Sequence, residues 1–198
     1  PNQIILKEQS MKTFIWSLFI ICISVIGIFT QSDAFDINLT QQQIQEAIDY
    51  GAKYKGKEVF GSDIVKKACF GEYPVSEGGI VMSKYVYTAV ISAMMNMKEK
   101  TLSPEEKKSI EESTTFEVVV VISDEDVKAP EDVQIILIQG TNNILPQKAE
   151  FGMKRKDNKQ SIVGVFQQDR VDADASTTIT IKTRNVQKKY KIDFSDVK

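Results

Sequence analysis

Thr115-Phe116-Glu117-Val118-Val119-Val120-Val121-Ile122 is the stretch where the chain changes period. Phe116, Val118, Val120 and Ile122 fall on one face at a spacing of two, with Val119 and Val121 behind them, which predicts a strand apolar on both faces and therefore buried. Val133 to Gln139 reads the same way. Further on the alternation is cleaner: Ala149, Phe151 and Met153 oppose Lys148, Glu150 and Lys154; Ile179 and Ile181 oppose Thr178, Thr180 and Lys182; Tyr190, Ile192 and Phe194 oppose Lys189, Lys191 and Asp193. With Ile162 to Gln167, about six strands are expected after Ser113 and Thr114, as an antiparallel sheet or a small β-sandwich.

Upstream of that switch the signals are helical. Ser103-Pro104-Glu105-Glu106 is a start signal: a Ser cap, Pro at the first helical position and acids against the positive helix end, for a helix to about Ser113. Ile80 to Met97 is apolar over most of its circumference, broken only by Lys84, Thr88, Ser92 and Asn96 at every fourth position. Such a helix must be covered on more than one side, and Ala89, Ser92 and Ala93 would let a neighbouring backbone come close. It is expected to be the central helix, and its polar stripe argues against a membrane span. Thr40 with Gln43 forms a capping box for a helix carrying Ile44, Ala47, Ile48 and Gly51 on one face, stopping by Gly56. A short helix is expected over Asp63 to Phe70, and Gly71 to Gly79, with Pro74, is expected to be a loop.

These readings give an α+β fold, with a helical half (35–114) and a stranded half (115–198) expected to form one compact domain. The alternative is a helical lobe followed by an autonomous immunoglobulin-like sandwich. The segment before them has a different character. Met11 and Lys12 precede an uncharged run from Thr13 to Thr30, and Ser32 and Ala34 are small residues at the −3 and −1 positions of a cleavage site. This order predicts a signal peptide over 11–34, cut before Phe35, with Pro1 to Ser10 lying upstream of the start. The apolar core Phe14 to Phe29 would be roughly 24 Å as a helix, short of the ~30 Å hydrocarbon layer, so an uncleaved anchor is the weaker reading. A lipoprotein reading fails because Cys22 lies inside the apolar run and follows bulky Ile21. The expectation is an exported protein, periplasmic or secreted from a bacterium, that meets a membrane only if the segment is retained.

Chemistry is bounded mainly by what is missing. The chain has no histidine, which removes Ser-His-Asp and Cys-His catalysis and most zinc or copper sites. After cleavage Cys69 stands alone, so no intramolecular disulfide can form, and a packed thiol is favoured over a bridge between two chains. The net charge of −2 is too near neutral to point to nucleic acid. No cofactor motif is present. Asp169, Asp172 and Asp174 in one acidic loop, and Ser123 to Asp126 in another, offer oxygen ligands for calcium, without the glycine and terminal Glu of an EF-hand. Met82, Met94, Met95 and Met97 invite copper(I), against methionine's ordinary role as core filler. Tyr50, Tyr54, Tyr73, Tyr85 and Tyr87 crowd the helical half. Tyrosine pairs an apolar body with a polar tip, so the expected binding surface is Tyr50, Tyr54, Tyr73 and Tyr85 with the loop 71–79. The expected function is non-catalytic binding of a protein, a peptide or an envelope polymer, with self-association compatible with it. The competing class is a carboxylate-dependent hydrolase, which needs two acids facing one cleft.

Overall fold

The structure, a computed structural model, describes residues 39–123, 127–153 and 159–198. The expected signal segment lies outside the described residues. Thr40 caps α1 (Gln41–Gly51): its hydroxyl accepts from the Gln43 N–H, and the Gln43 side chain accepts from the Thr40 N–H at 2.8 Å. A 3₁₀ turn (Gly56–Gly61) leads to α2 (Asp63–Lys67), which ends three residues earlier than expected. Cys69 and Phe70 instead enter β1 (Cys69–Gly71), which pairs with β2 (Gly78–Met82).

The central helix also starts later than its apolar run suggests. Ile80 and Val81 are strand residues, and α3 spans Lys84–Asn96. Two local causes decide this. Ser83 is a helix cap, its hydroxyl accepting from the Val86 N–H at 3.1 Å. Gly79 lies flat against its neighbours, where a Cβ would fall on the Val119 carbonyl and the Phe70 ring, so β2 fits closely between β1 and β3. Ser103 and Glu106 form the expected capping box for α4 (Pro104–Glu112).

The polar stripe of α3 turns out to be a seam of hydrogen bonds to its neighbours. Lys84 Nζ donates to the Glu111 carbonyl at the end of α4 (3.0 Å), and Ser92 Oγ to the Ile48 carbonyl of α1 (2.8 Å). Asn96 Nδ2 donates to the Ala52 and Tyr54 carbonyls. Thr88 turns back on Lys84 of its own helix. The close approach expected of Ala89 and Ser92 is present, with Gly51 of α1 as the partner.

The strands continue with β3 (Thr115–Ile122), β4 (Gln134–Gln139), β5 (Asn142–Ile144), β6 (Lys148–Phe151), β7 (Gln160–Gln167), β8 (Ser176–Lys182) and β9 (Gln187–Asp193). They form two antiparallel sheets, in the orders β1-β2-β3-β7-β6 and β5-β4-β8-β9. The extra strand relative to the six expected is β5, a short return made possible by Gly140 at φ +58°. Phe116, Val118, Val120, Ile162 and Phe166 of the larger sheet share one core with Ile135, Leu137, Ile179 and Ile181 of the smaller, so the sheets pack as a sandwich. Residues of α3 take part in two cores. Val86, Ala89, Val90 and Ala93 belong to the sandwich core, and Tyr85 joins Ile44, Ala47, Leu102 and Ile110 in a core among the helices. The α+β class is as the sequence predicts. The larger sheet, however, draws β1 and β2 from before Ser113 and pairs β2 along its length with β3.

Thr180, at the middle of β8, is buried, and among the described residues its hydroxyl has no hydrogen-bond partner. A buried unpaired hydroxyl costs about 1–3 kcal/mol, and valine has nearly the same shape and a high strand propensity. Thr180→Val is therefore expected to raise stability by about 1 kcal/mol, read as a higher urea midpoint at an unchanged slope.

Candidate functional site

The tyrosines separate into two groups. Tyr50 meets Tyr54 (centroids 5.5 Å apart) and Tyr85 (6.4 Å), and its hydroxyl accepts from the Ile64 N–H at 3.2 Å. Tyr85 is only 3% exposed, with Lys198 Nζ over its ring at 4.9 Å. Tyr73 stands apart from this trio, edge-on to Phe60 at 5.5 Å. Tyr50, Tyr54 and Tyr73 are half-buried against the sandwich core. These rings chiefly brace the helices, the ordinary use of an amphipathic ring at the border of a core.

The loop between β1 and β2 is tied down. The Glu77 carboxylate accepts from the Ser123 N–H at 3.0 Å and pairs with Lys188 of β9. The Lys188 ammonium holds the Glu77 carboxyl below the usual carboxylate range, and the pair raises the Lys188 ammonium in turn. Val75, at the apex, is 84% exposed.

The metal candidates do not converge. Asp169, Asp172 and Asp174 are exposed, and the Asp172 carboxylate accepts from the Asp174 N–H at 2.9 Å in a local turn. Both backbone groups of Asp172 bond to the buried Gln139 side chain, so the loop is held by its backbone with its acids outward. Among the described residues no three acidic or thiol side chains gather as metal ligands. Asp124 to Asp126 of the second acidic loop lie outside the described residues. Met94 packs on the sandwich core, Met95 on the core among the helices, and Met97 is exposed, so neighbouring thioethers point to different places. Cys69 donates its thiol to the Val65 carbonyl at 3.3 Å, and burial pushes that thiol up to about 12, far from thiolate chemistry.

A cleft of about 290 Å³ opens where α3 and α4 meet the end of β3. Ile91, Leu102, Ile110 and Phe116 supply apolar walls, and Lys84, Tyr87, Glu106, Ser113, Thr115 and Glu117 are the chief polar groups, with the Lys84 ammonium held on the Glu111 carbonyl. Ser113 and Thr115 hydrogen-bond to each other there. Glu106 is on the α4 side, with one carboxylate oxygen accepting from the Ser103 N–H at 2.7 Å in the capping box. Tyr87 is 38% exposed, and its hydroxyl is pushed up by burial and by the two acids, Glu117 and Glu106.

Glu117 is the unusual group. It is the one acid in an eight-residue strand of otherwise apolar or hydroxyl residues, and it directly opposes Met82 on β2 and Val165 on β7. Burial holds its carboxyl above the usual range, and Glu150 adds to the effect while Lys148 opposes it. Those two are paired with each other at 2.5 Å on β6. The site therefore offers a poorly solvated carboxyl beside an apolar wall.

No protein-family model, curated protein or solved structure matches the chain.

Glu117 and Glu106 were absent from the sequence expectations as site residues. The available signal was a lone acid inside a strand whose every other inward or outward position is apolar or carries a hydroxyl. Glu106 reads from sequence only as a helix cap, which it also is. Among the described residues no helix is long and apolar enough to cross a membrane.

Proposed function

We propose that this chain is an exported, non-catalytic binding protein, and that the cleft at the α3, α4 and β3 junction receives a cationic side chain of a protein or peptide partner. The observation that carries the reading is Glu117: a carboxyl kept partly out of water, whose ionised form is disfavoured until a cation arrives. A lysine or arginine brings an apolar stem for Ile91, Leu102 and Ile110 and a charged head for Glu117 and Glu106. The cleft, about 290 Å³, has room for one such side chain. Export rests on the signal-like segment before Phe35 alone, and envelope polymers remain within the proposed partner class through the surface described below.

A carboxylate-dependent hydrolase is the second reading, favoured by Glu106 and Glu117 lining one cleft. Against it, Glu106 already serves the cap of α4. The test uses pools of short acetylated peptides, Lys-rich, Arg-rich and Glu-rich, titrated calorimetrically against the full chain and Glu117→Gln. The basic pools are expected to bind and the Glu-rich pool not to, with affinity falling about tenfold in Glu117→Gln, the size of one charge-assisted contact. Raised acids weaken the fold as pH climbs through the raised value, so Glu117→Gln keeps or slightly gains stability at neutral pH. The gain is small because partial exposure screens the charge. Binding that ignores both peptide charge and Glu117 would refute the reading, and turnover of a glycoside lost in both Glu106→Gln and Glu117→Gln would favour the hydrolase.

A further inference from the structure

The smaller sheet has a second face, turned away from the sandwich core, that the cleft does not involve. Register places its residues in rows: Ile138, Thr178 and Lys191; Ile136, Thr180 and Lys189; Gln134, Lys182 and Gln187. Lys182, Lys189 and Lys191 are exposed, and among the described residues none has an ion-pair or hydrogen-bond partner. The remaining lysine of β9, Lys188, points the other way and pairs with Glu77. Arg184 adds a further cation at the β8–β9 turn. The four strands carry one acid, Asp193, at the far end of the face, and its carboxylate already accepts from the Ser195 N–H and hydroxyl. In a chain of net charge −2, this is a segregated cationic surface.

We propose that this face docks a linear, base-free phosphodiester polymer. Charge complementarity sets the sign of the partner, and geometry and composition select among anions. Lys189 and Lys191 stand two residues apart on β9, about 6.8 Å, and Lys182, opposite Gln187 on the adjoining strand, lies diagonally about 8 Å from Lys189, so the cations form a short staggered line that suits a linear polyanion. No aromatic side chain lies on the face to stack a nucleobase, which argues against nucleic acid. Its apolar centre, Ile136 and Ile138, is half-buried, and the one exposed leucine beside it, Leu145 after β5, is a single side chain with no exposed aromatic partner to enter a bilayer with it, which argues against lipid. Lysines on the edge strand β9 also block strand pairing. That role accounts for Lys189 and Lys191 but not for Lys182, which sits on β8, an interior strand.

The test measures binding of a fluorescent dodecamer of propanediol phosphodiester to the full chain by anisotropy at several salt concentrations. The expected result is binding with a log–log salt slope of about −2, as three lysines would give on a single strand. It should weaken at least about tenfold in the triple variant Lys182→Gln/Lys189→Gln/Lys191→Gln, return in the triple Lys→Arg variant, and persist in Lys107→Gln/Lys108→Gln on α4. No binding at low salt, or binding insensitive to the triple variant, would overturn the proposal. So would thymidine dodecamer binding more than about tenfold tighter than the base-free strand, which marks a nucleic-acid site. Capture by anionic phosphatidylglycerol vesicles without capture of the oligomer would overturn it in favour of a membrane.

Discussion

Phe116→Ala is expected to lower folding stability by about 4 kcal/mol, close to the whole reserve of many domains of this size. The ring is 2% exposed, stacked on Phe166 at a centroid distance of 5.5 Å and an interplanar angle of 22°, and met edge-on by Phe194 at 6.1 Å. Truncation removes the buried ring and leaves a void between β3, β7 and the C-terminal turn that carries Phe194. Urea unfolding followed by circular dichroism reads the effect as a lower midpoint at an unchanged slope. A loss below about 1.5 kcal/mol would mean the two sheets do not share the core described. Phe116 also forms part of the cleft wall, so Phe116→Leu, which keeps most of the volume, should hold the fold while loosening peptide binding.

Gly51→Val is the second large effect, expected at about 3 kcal/mol through overpacking. Gly51 is the point where α1 touches α3: a Cβ there would fall on the Ala89 carbonyl and lie 2.9 Å from the Ser92 Cβ. Neither obstacle is a flexible side-chain end, so the helices must part. Parting them also stretches the Ser92 to Ile48 hydrogen bond of 2.8 Å. Valine and alanine both have a better helix propensity than the native glycine, so the loss is one of packing, and Gly51→Ala should also destabilise. Gly61, with open space where its Cβ would go, is the control and should tolerate alanine with little change.

Most of the architecture was legible because each element carried its own local signature. The Thr40 and Ser103 caps, the alternation of β3, β8 and β9, and the small residues of α3 all read as they fold. What escaped the sequence lay at junctions. Ile80 and Val81 continue the apolar run of α3 without a break, and periodicity cannot tell a strand from a helix over so few residues. Ser83 as a cap was the missed mark. Cys69 and Phe70 become strand only because Gly78 and Gly79 leave room for them, a fact of tertiary packing. Of the tyrosines, Tyr50 and Tyr85 take part in packing among the helices, a role that the count of tyrosines could not separate from binding. The lone Glu117 in β3 is a signal of a different kind, because a carboxyl in an apolar strand has a solvation cost that something must offset. The cationic face was visible as Lys182, Lys189 and Lys191 on alternate positions, but only strand pairing places them on one surface.

The most direct test of the cleft is an NMR titration of the Glu117 side-chain carboxyl, free and saturated with a Lys-rich peptide. The account predicts that the free carboxyl titrates above the usual carboxylate range and moves down when the peptide binds, because a cation favours its ionised form. An ordinary titration in the free protein, or a raised one that the bound peptide leaves unmoved, would contradict the assignment of this cleft as the binding site.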